Sequence, residues 1–71
     1  MARRIVEIED YGIVTLRSVV LESEDNTTLF EGIEIKTEDF GLIEIYRWYD
    51  IDELSLLEIK NFILEHKYKI K

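Results

Sequence analysis

EDYGIVTL, at residues 9–16, returns as EDFGLIEI at residues 38–45. The aligned residues are identical or chemically similar at every position except one, where Thr15 is matched by Glu44. In both copies a glycine follows an acidic pair and an aromatic residue, and glycine adopts positive φ without steric penalty. Each copy therefore predicts a type I turn, closed by a glycine bulge, between two antiparallel strands.

The segments on either side of these turns show the alternation and the β-branched residues typical of strands. Strands are predicted at about residues 3–9, 13–22, 28–37 and 42–48, with a polar turn at 23–27. Joined in chain order, they form a four-stranded antiparallel meander of two repeated β-hairpins. The two glycine turns then lie at the same end of the sheet, about 10 Å apart.

Counting outward from the two glycines predicts which side chains face each other. Ile8 is predicted opposite Val14 on a buried face. The residues of the second hairpin are paired by the same count from its own turn glycine. On the open face Lys36 is predicted opposite Glu44, a cross-strand pair of opposite charge. Both hairpins are therefore expected to bury one face and expose the other to water.

The period of the hydrophobic pattern changes in the last quarter of the chain, where it predicts one α-helix at about residues 51–68. Asp50 and Glu53 have the spacing of a capping box, which favours a helix beginning at Ile51. The predicted fold class is therefore α+β, with this C-terminal helix packed on one face of the sheet.

The predicted helix carries two apolar stripes. One consists of Leu56, Ile59, Ile63, His66 and Ile70, and the other of Leu54, Leu57, Asn61, Leu64 and Tyr68. A surface helix needs only one stripe to cover a core. The second stripe is therefore predicted to be an oligomer interface in a homodimer. The alternative is a sheet that curls around the helix and contacts both stripes.

Length and composition limit the possible classes. The 71 residues predict a single domain, 1–71, and the absence of cysteine excludes disulfides and thiolate zinc sites. The formal net charge of −7 disfavours binding to nucleic-acid phosphates, which requires cationic surfaces. No apolar run approaches the length of a membrane span, so no membrane association and a cytoplasmic location are expected.

Catalytic chemistry has few candidate residues. His66 is the only histidine, and it falls on an apolar stripe near the end of the predicted helix. The three glycines do not form a phosphate-binding loop. No catalytic residue, metal site or cofactor is predicted, and the protein is expected not to be an enzyme.

Two partner-binding sites are predicted. The first is an acidic and aromatic rim at the turn end of the sheet, formed by Glu9, Asp10, Tyr11, Glu38, Asp39 and Phe40. Such a rim could receive a basic segment through charge pairs and ring stacking. The alternative is that these are ordinary turn residues, with Tyr11 and Phe40 folded back onto the core.

The second predicted site comprises Tyr46 and Trp48, which alternation places on the open sheet face. Large exposed aromatic side chains often anchor interfaces. The alternative is that Trp48 closes the core where the last strand leads into the helix.

These features predict a small, acidic, non-catalytic module that binds and regulates a larger protein with a basic surface. One form of it is an inhibitor of the kind that mobile elements such as phages encode, including a DNA mimic. The alternative is a small-ligand binder or an enzyme whose site lies at a subunit interface.

Overall fold

The computed structural model describes residues 3–39 and 41–67. Four strands precede one helix: β1 is Arg3–Ile8, β2 is Gly12–Glu22, β3 is Leu29–Thr37, β4 is Gly41–Ile45, and α1 is Leu56–Lys67. The strands form one antiparallel sheet in the order β1-β2-β3-β4. The predicted α+β class, a four-stranded antiparallel meander followed by a helix, is confirmed.

The repeated segments form equivalent turns. Gly12 and Gly41 both have φ near +71°, the conformation for which glycine was expected at these positions. In the first turn the Tyr11 N–H donates to the Ile8 carbonyl at 2.9 Å. The two turns pair their flanking strands alike, with Ile8 opposite Gly12 and Thr37 opposite Gly41. The sequence repeat is therefore also a structural repeat.

The predicted register is wrong by two residues in both hairpins. Val14 lies opposite Val6 and not opposite Ile8, because the glycine itself pairs with the last residue of the preceding strand. A shift of two residues leaves each side chain on its predicted face, since side chains alternate with a period of two. The buried and open faces are consequently as predicted, whereas the cross-strand neighbours are different.

The shift changes one charge pair on the open face. Glu44 lies opposite Glu34, and Lys36 lies opposite Leu42, so the predicted pair of Lys36 with Glu44 is wrong. Like charges directly opposite each other destabilise a sheet. Arg17, on the other side of Glu34, offsets part of this repulsion through an ion pair at 3.6 Å.

The β2–β3 connection is organised by one aspartate. The Asp25 carboxylate accepts hydrogen bonds from the Ser23 hydroxyl at 2.6 Å, the Thr27 hydroxyl at 2.7 Å and the Thr27 N–H at 3.2 Å. These donors stabilise the charged form and lower the Asp25 pKa to about 2. Asn26 supplies the positive φ of 60° that the turn requires.

The core lies between one face of the sheet and one side of the helix. Its sheet residues alternate along the strands, and its helix residues are one turn apart. The buried cluster consists of Ile8, Tyr11, Val14, Leu16, Ile33, Ile35, Ile43, Ile45, Ile51, Leu54, Ile59 and Ile63. Phe62, Tyr49 and Val6 are partly buried against it.

The last strand and the helix differ from their predicted bounds. β4 ends at Ile45 and does not continue to residue 48, and the chain bends at residues 46–47. A Cβ atom at Gly32 would overlap the Ile45 carbonyl oxygen, so the chain passes closely over this glycine as it leaves the sheet. Tyr49 then packs against Phe62 of α1, with ring centroids 5.1 Å apart.

The helix begins at Leu56, five residues later than predicted, and its capping box is Ser55 with Glu58. The Glu58 N–H donates to the Ser55 hydroxyl at 3.1 Å, and the Ser55 N–H donates to the Glu58 carboxylate at 3.0 Å. The predicted box of Asp50 and Glu53 instead forms a turn, in which the Glu53 N–H donates to the Asp50 carbonyl at 3.0 Å.

Arg4 attaches the segment before α1 to the edge strand. Its guanidinium Nη1 donates to the carbonyl oxygens of Ile51, at 2.8 Å, and Leu54, at 2.6 Å. A helix beginning at residue 51 would direct these two carbonyls along its own axis. In the structure they point to β1 instead, and the segment before Leu56 is non-helical.

Candidate functional site

The predicted acidic rim is brought together at one end of the sheet, but much of it is used within the fold. The Ile13 N–H donates to Glu38 Oε1 at 3.1 Å, which links the second turn to the first. Asp10 forms an ion pair with Lys60 of α1 at 2.9 Å, and this hydrogen-bonded contact raises the Lys60 pKa. These two carboxylates therefore connect the turns to each other and to the helix.

The aromatic part of the rim differs from the prediction. Tyr11 is only 6% exposed and belongs to the core cluster, so its ring has little surface for stacking on a partner. Phe40 lies outside the described residues. Glu9 and Asp39 are the rim residues that are exposed and have no role in the contacts described above. Tyr11 therefore lies as the alternative considered from the sequence has it, and binding of a partner at the rim stays a prediction.

Tyr46 and Trp48 are both exposed. Tyr46 packs edge-on against Phe30 of β3, with centroids 5.9 Å apart, on the side of the sheet away from the helix. Trp48 lies beyond the end of β4 and is 57% exposed. The early end of β4 breaks the alternation that would have placed the two rings side by side.

Trp48 lines a groove of about 440 Å³ at the margin of the sheet. The groove, called here the Trp48 groove, is lined by Arg17, Ser18, Val19, Val20, Glu31 and Trp48. Val20 is 64% exposed, so an aromatic and an aliphatic side chain are left accessible at one place. Large apolar residues that remain accessible together mark interaction surfaces more often than isolated ones do.

Ser18, Val20 and Glu31 were not predicted as site residues from the sequence. The lengths of the predicted strands could have indicated this part of β2, because the predicted second strand is longer than the first and must extend past it. The contact with Trp48 had no such signal, since it depends on the path of residues 46–50 after β4 ends.

The predicted oligomer interface is only partly on the surface. Leu54 is 6% exposed, precedes the helix and belongs to the core, so it is not part of an outer helix stripe. Leu57, Asn61 and Leu64 are exposed on the side of α1 away from the sheet. Tyr68 lies outside the described residues. Leu54 is buried with Ile59 and Ile63 of the first stripe, whereas Leu56 of that stripe is 50% exposed.

His66 contacts its own helix. Its Nδ1 lies 2.8 Å from the Phe62 carbonyl oxygen, which only accepts, so Nδ1 is the protonated nitrogen of this contact. In residues 3–39 and 41–67 no group of three or more acidic or histidine side chains is placed to hold a metal ion. Within the same residues, α1 is too short and too polar to cross a bilayer.

Comparison with known protein families, with curated proteins and with solved structures finds no match to this chain.

Proposed function

We propose that this protein is a non-catalytic protein-binding module that regulates a larger partner, and that it holds the partner at the Trp48 groove. The observation that carries the proposal is the exposure of Trp48 beside Val20, although the core is complete without either side chain. Tryptophan is the residue most enriched among those that dominate binding energy at protein interfaces.

Charge indicates the chemistry of the partner segment. Glu31 lines the groove, and the nearby Arg17 is paired with Glu34 at 3.6 Å. The whole chain carries a formal net charge of −7. A partner segment with Lys or Arg would be attracted to this surface, and its side chains could stack on the Trp48 ring.

Panning of a random library of peptides against the immobilised full chain tests this function. We expect enrichment of peptides that combine basic and aliphatic residues. Trp48→Ala should weaken their binding about tenfold, because truncation of an interface tryptophan costs more than about 1.4 kcal/mol. Leu42→Ala is the matched control, since Leu42 is 49% exposed on β4 and does not line the groove.

Two results would refute the proposed function. One is the absence of any enriched peptide. The other is equal affinity of the enriched peptides for the parent chain and for Trp48→Ala.

Self-association through the outer side of α1 is a separate part of the proposal. Leu57 and Leu64 are exposed on either side of Asn61, a residue that sets register in some helical dimers. Sedimentation velocity of the full chain should show a concentration-dependent dimer that Leu57→Glu dissociates. A monomer at all concentrations removes the dimer and leaves the partner-binding function unaffected. The DNA-mimic form of an inhibitor, and a ligand or enzyme site shared between subunits, stay predictions.

A further inference from the structure

β2 extends past the described part of its neighbour at one edge of the sheet. The described part of β1 pairs with β2 from Ile8 opposite Gly12 to Arg3 opposite Arg17. On the other side β3 pairs with β2 as far as Leu29 opposite Glu22. Within the residues that the structure describes, residues 20–22 of β2 therefore have a strand neighbour on the β3 side only.

Hydrogen bonds near the two ends of β2 show which of its backbone groups point to β3. The Ser23 N–H donates to the Thr28 carbonyl at 2.9 Å, which is the β3 side. The Ile13 N–H donates to Glu38, which follows β3, on the same side. Because backbone groups alternate between the two sides of a strand, the odd residues of β2 face β3. Val20 and Glu22 consequently direct their N–H and C=O groups to the other edge.

No described residue pairs with the Val20 and Glu22 backbone groups at that edge. A row of available N–H and C=O groups is the template on which an extended peptide adds a strand. The Trp48 groove lies beside the same edge, since Ser18, Val19 and Val20 line it. Alternate side chains of an added strand would therefore point toward Trp48 and Val20.

The charge of this region selects the occupant. Glu22 ends this segment and Glu31 lines the groove, while Arg17 is paired with Glu34 and lies opposite Arg3. A second copy paired edge to edge would bring a second Glu22 and a second Glu31 to this place. Repulsion between these carboxylates disfavours that occupant here, and a segment with Lys or Arg is favoured.

We propose that the edge of β2 at residues 20–22, called here the β2 edge, accepts an extended, basic peptide segment as a fifth strand. Val20 and Glu22 supply the backbone hydrogen bonds, and the Trp48 groove receives an alternate aliphatic side chain. This inference rests on the proposed function, because it states how the partner segment is held.

Amide hydrogen exchange measured by NMR on the full chain tests the proposal. The probe is an acetylated heptapeptide of alternating valine and lysine, and the control is the corresponding valine and glutamate peptide. With the basic probe in saturating amount, exchange of the Val20 and Glu22 amides should slow by at least about tenfold. Val19 and Leu21, whose amides already face β3, should change little. The acidic control should leave all four amides unchanged.

N-methylation of single peptide bonds in the basic probe provides the second measurement. In an added strand only every second peptide amide faces β2. Methylation should therefore abolish binding at alternate positions and be tolerated at the positions between them. A uniform effect along the probe contradicts strand addition.

The possible failures are distinguishable. If the probe shifts the Trp48 resonances but leaves Val20 and Glu22 exchange unchanged, strand addition is overturned and the partner-binding function survives. If the probe causes no change, strand addition is also overturned, and the panning experiment decides the function. Slow exchange of Val20 and Glu22 in the free protein would mean that the edge is already occupied. Dependence of that protection on protein concentration would identify a second copy.

Discussion

Replacement of Arg4 tests the attachment of the pre-helical segment to the sheet. Arg4→Met keeps an unbranched apolar stem and removes the guanidinium that donates to the Ile51 and Leu54 carbonyls. A hydrogen bond to a charged group contributes about 1.5–3 kcal/mol. The two carbonyls share one donor nitrogen in a partly buried place, where water can replace part of the interaction. We therefore expect a loss of about 2 kcal/mol for both contacts together.

Urea unfolding followed by far-UV circular dichroism measures this loss. With a slope of about 1 kcal/mol per molar urea, the midpoint should fall by about 2 M without a change of slope. Arg4→Lys keeps the charge but has a single ammonium in place of the planar guanidinium, so it should lose about half as much stability. Arg3→Met is the matched control, because it removes the same charge from an exposed neighbour and should cost at most about 0.5 kcal/mol.

Equal midpoints for Arg4→Met and Arg3→Met would refute the reasoning. Such a result would mean that net charge, and not the two carbonyl contacts, determines the effect. A helix that extends to residue 51 in Arg4→Met, seen as slowed amide exchange at residues 53–55, would confirm that Arg4 sets where α1 begins.

Three further predictions concern the sheet and its turns. Gly32→Ala should lower the free energy of unfolding by more than about 2 kcal/mol in thermal or urea unfolding, because its Cβ would overlap a backbone carbonyl. Gly41→Ala should lower the free energy of unfolding by only about 1 kcal/mol, because the new Cβ has no close neighbour and only the positive φ is strained. A loss equal to that of Gly32→Ala would contradict the close approach of the Ile45 carbonyl to Gly32. Glu44→Lys should raise the free energy of unfolding by about 0.5 kcal/mol at low salt, because attraction to Glu34 replaces repulsion from it. An unchanged or lower melting temperature would contradict the observed register of β3 and β4. The lowered pKa of Asp25 predicts that its charged form contributes to the free energy of unfolding, fully above pH 3.8 and progressively less as pH falls toward 2. Carboxyl NMR titration should give a pKa of about 2 for Asp25, and a value near 3.8 would contradict the hydrogen bonds of this turn.

The site could be predicted only in part. Exposure of Tyr46 and Trp48 was predicted from strand alternation, and both rings are exposed. β4 ends at Ile45, so strand alternation no longer specifies where Trp48 lies relative to Tyr46. The pairing of Trp48 with Val20 joins residues far apart in the chain, and no local pattern specifies it.

The sequence by itself determined the features that depend on single residues and on their immediate neighbours. Gly12 and Gly41 specify the two turns because they adopt the positive φ that other residues avoid. The period of two in the strands specifies which face is buried, and a register shift of two residues does not alter that result.

Only the tertiary structure decided between local structures that the sequence favours about equally. Two capping boxes were available, and the structure uses Ser55 with Glu58, while Arg4 binds carbonyls in the segment that contains the other. Tyr11 belongs to a core cluster that also contains Ile59 and Ile63 of α1. The residues in these contacts lie about 50 positions apart, so no short segment of the chain contains both partners and local patterns do not specify them.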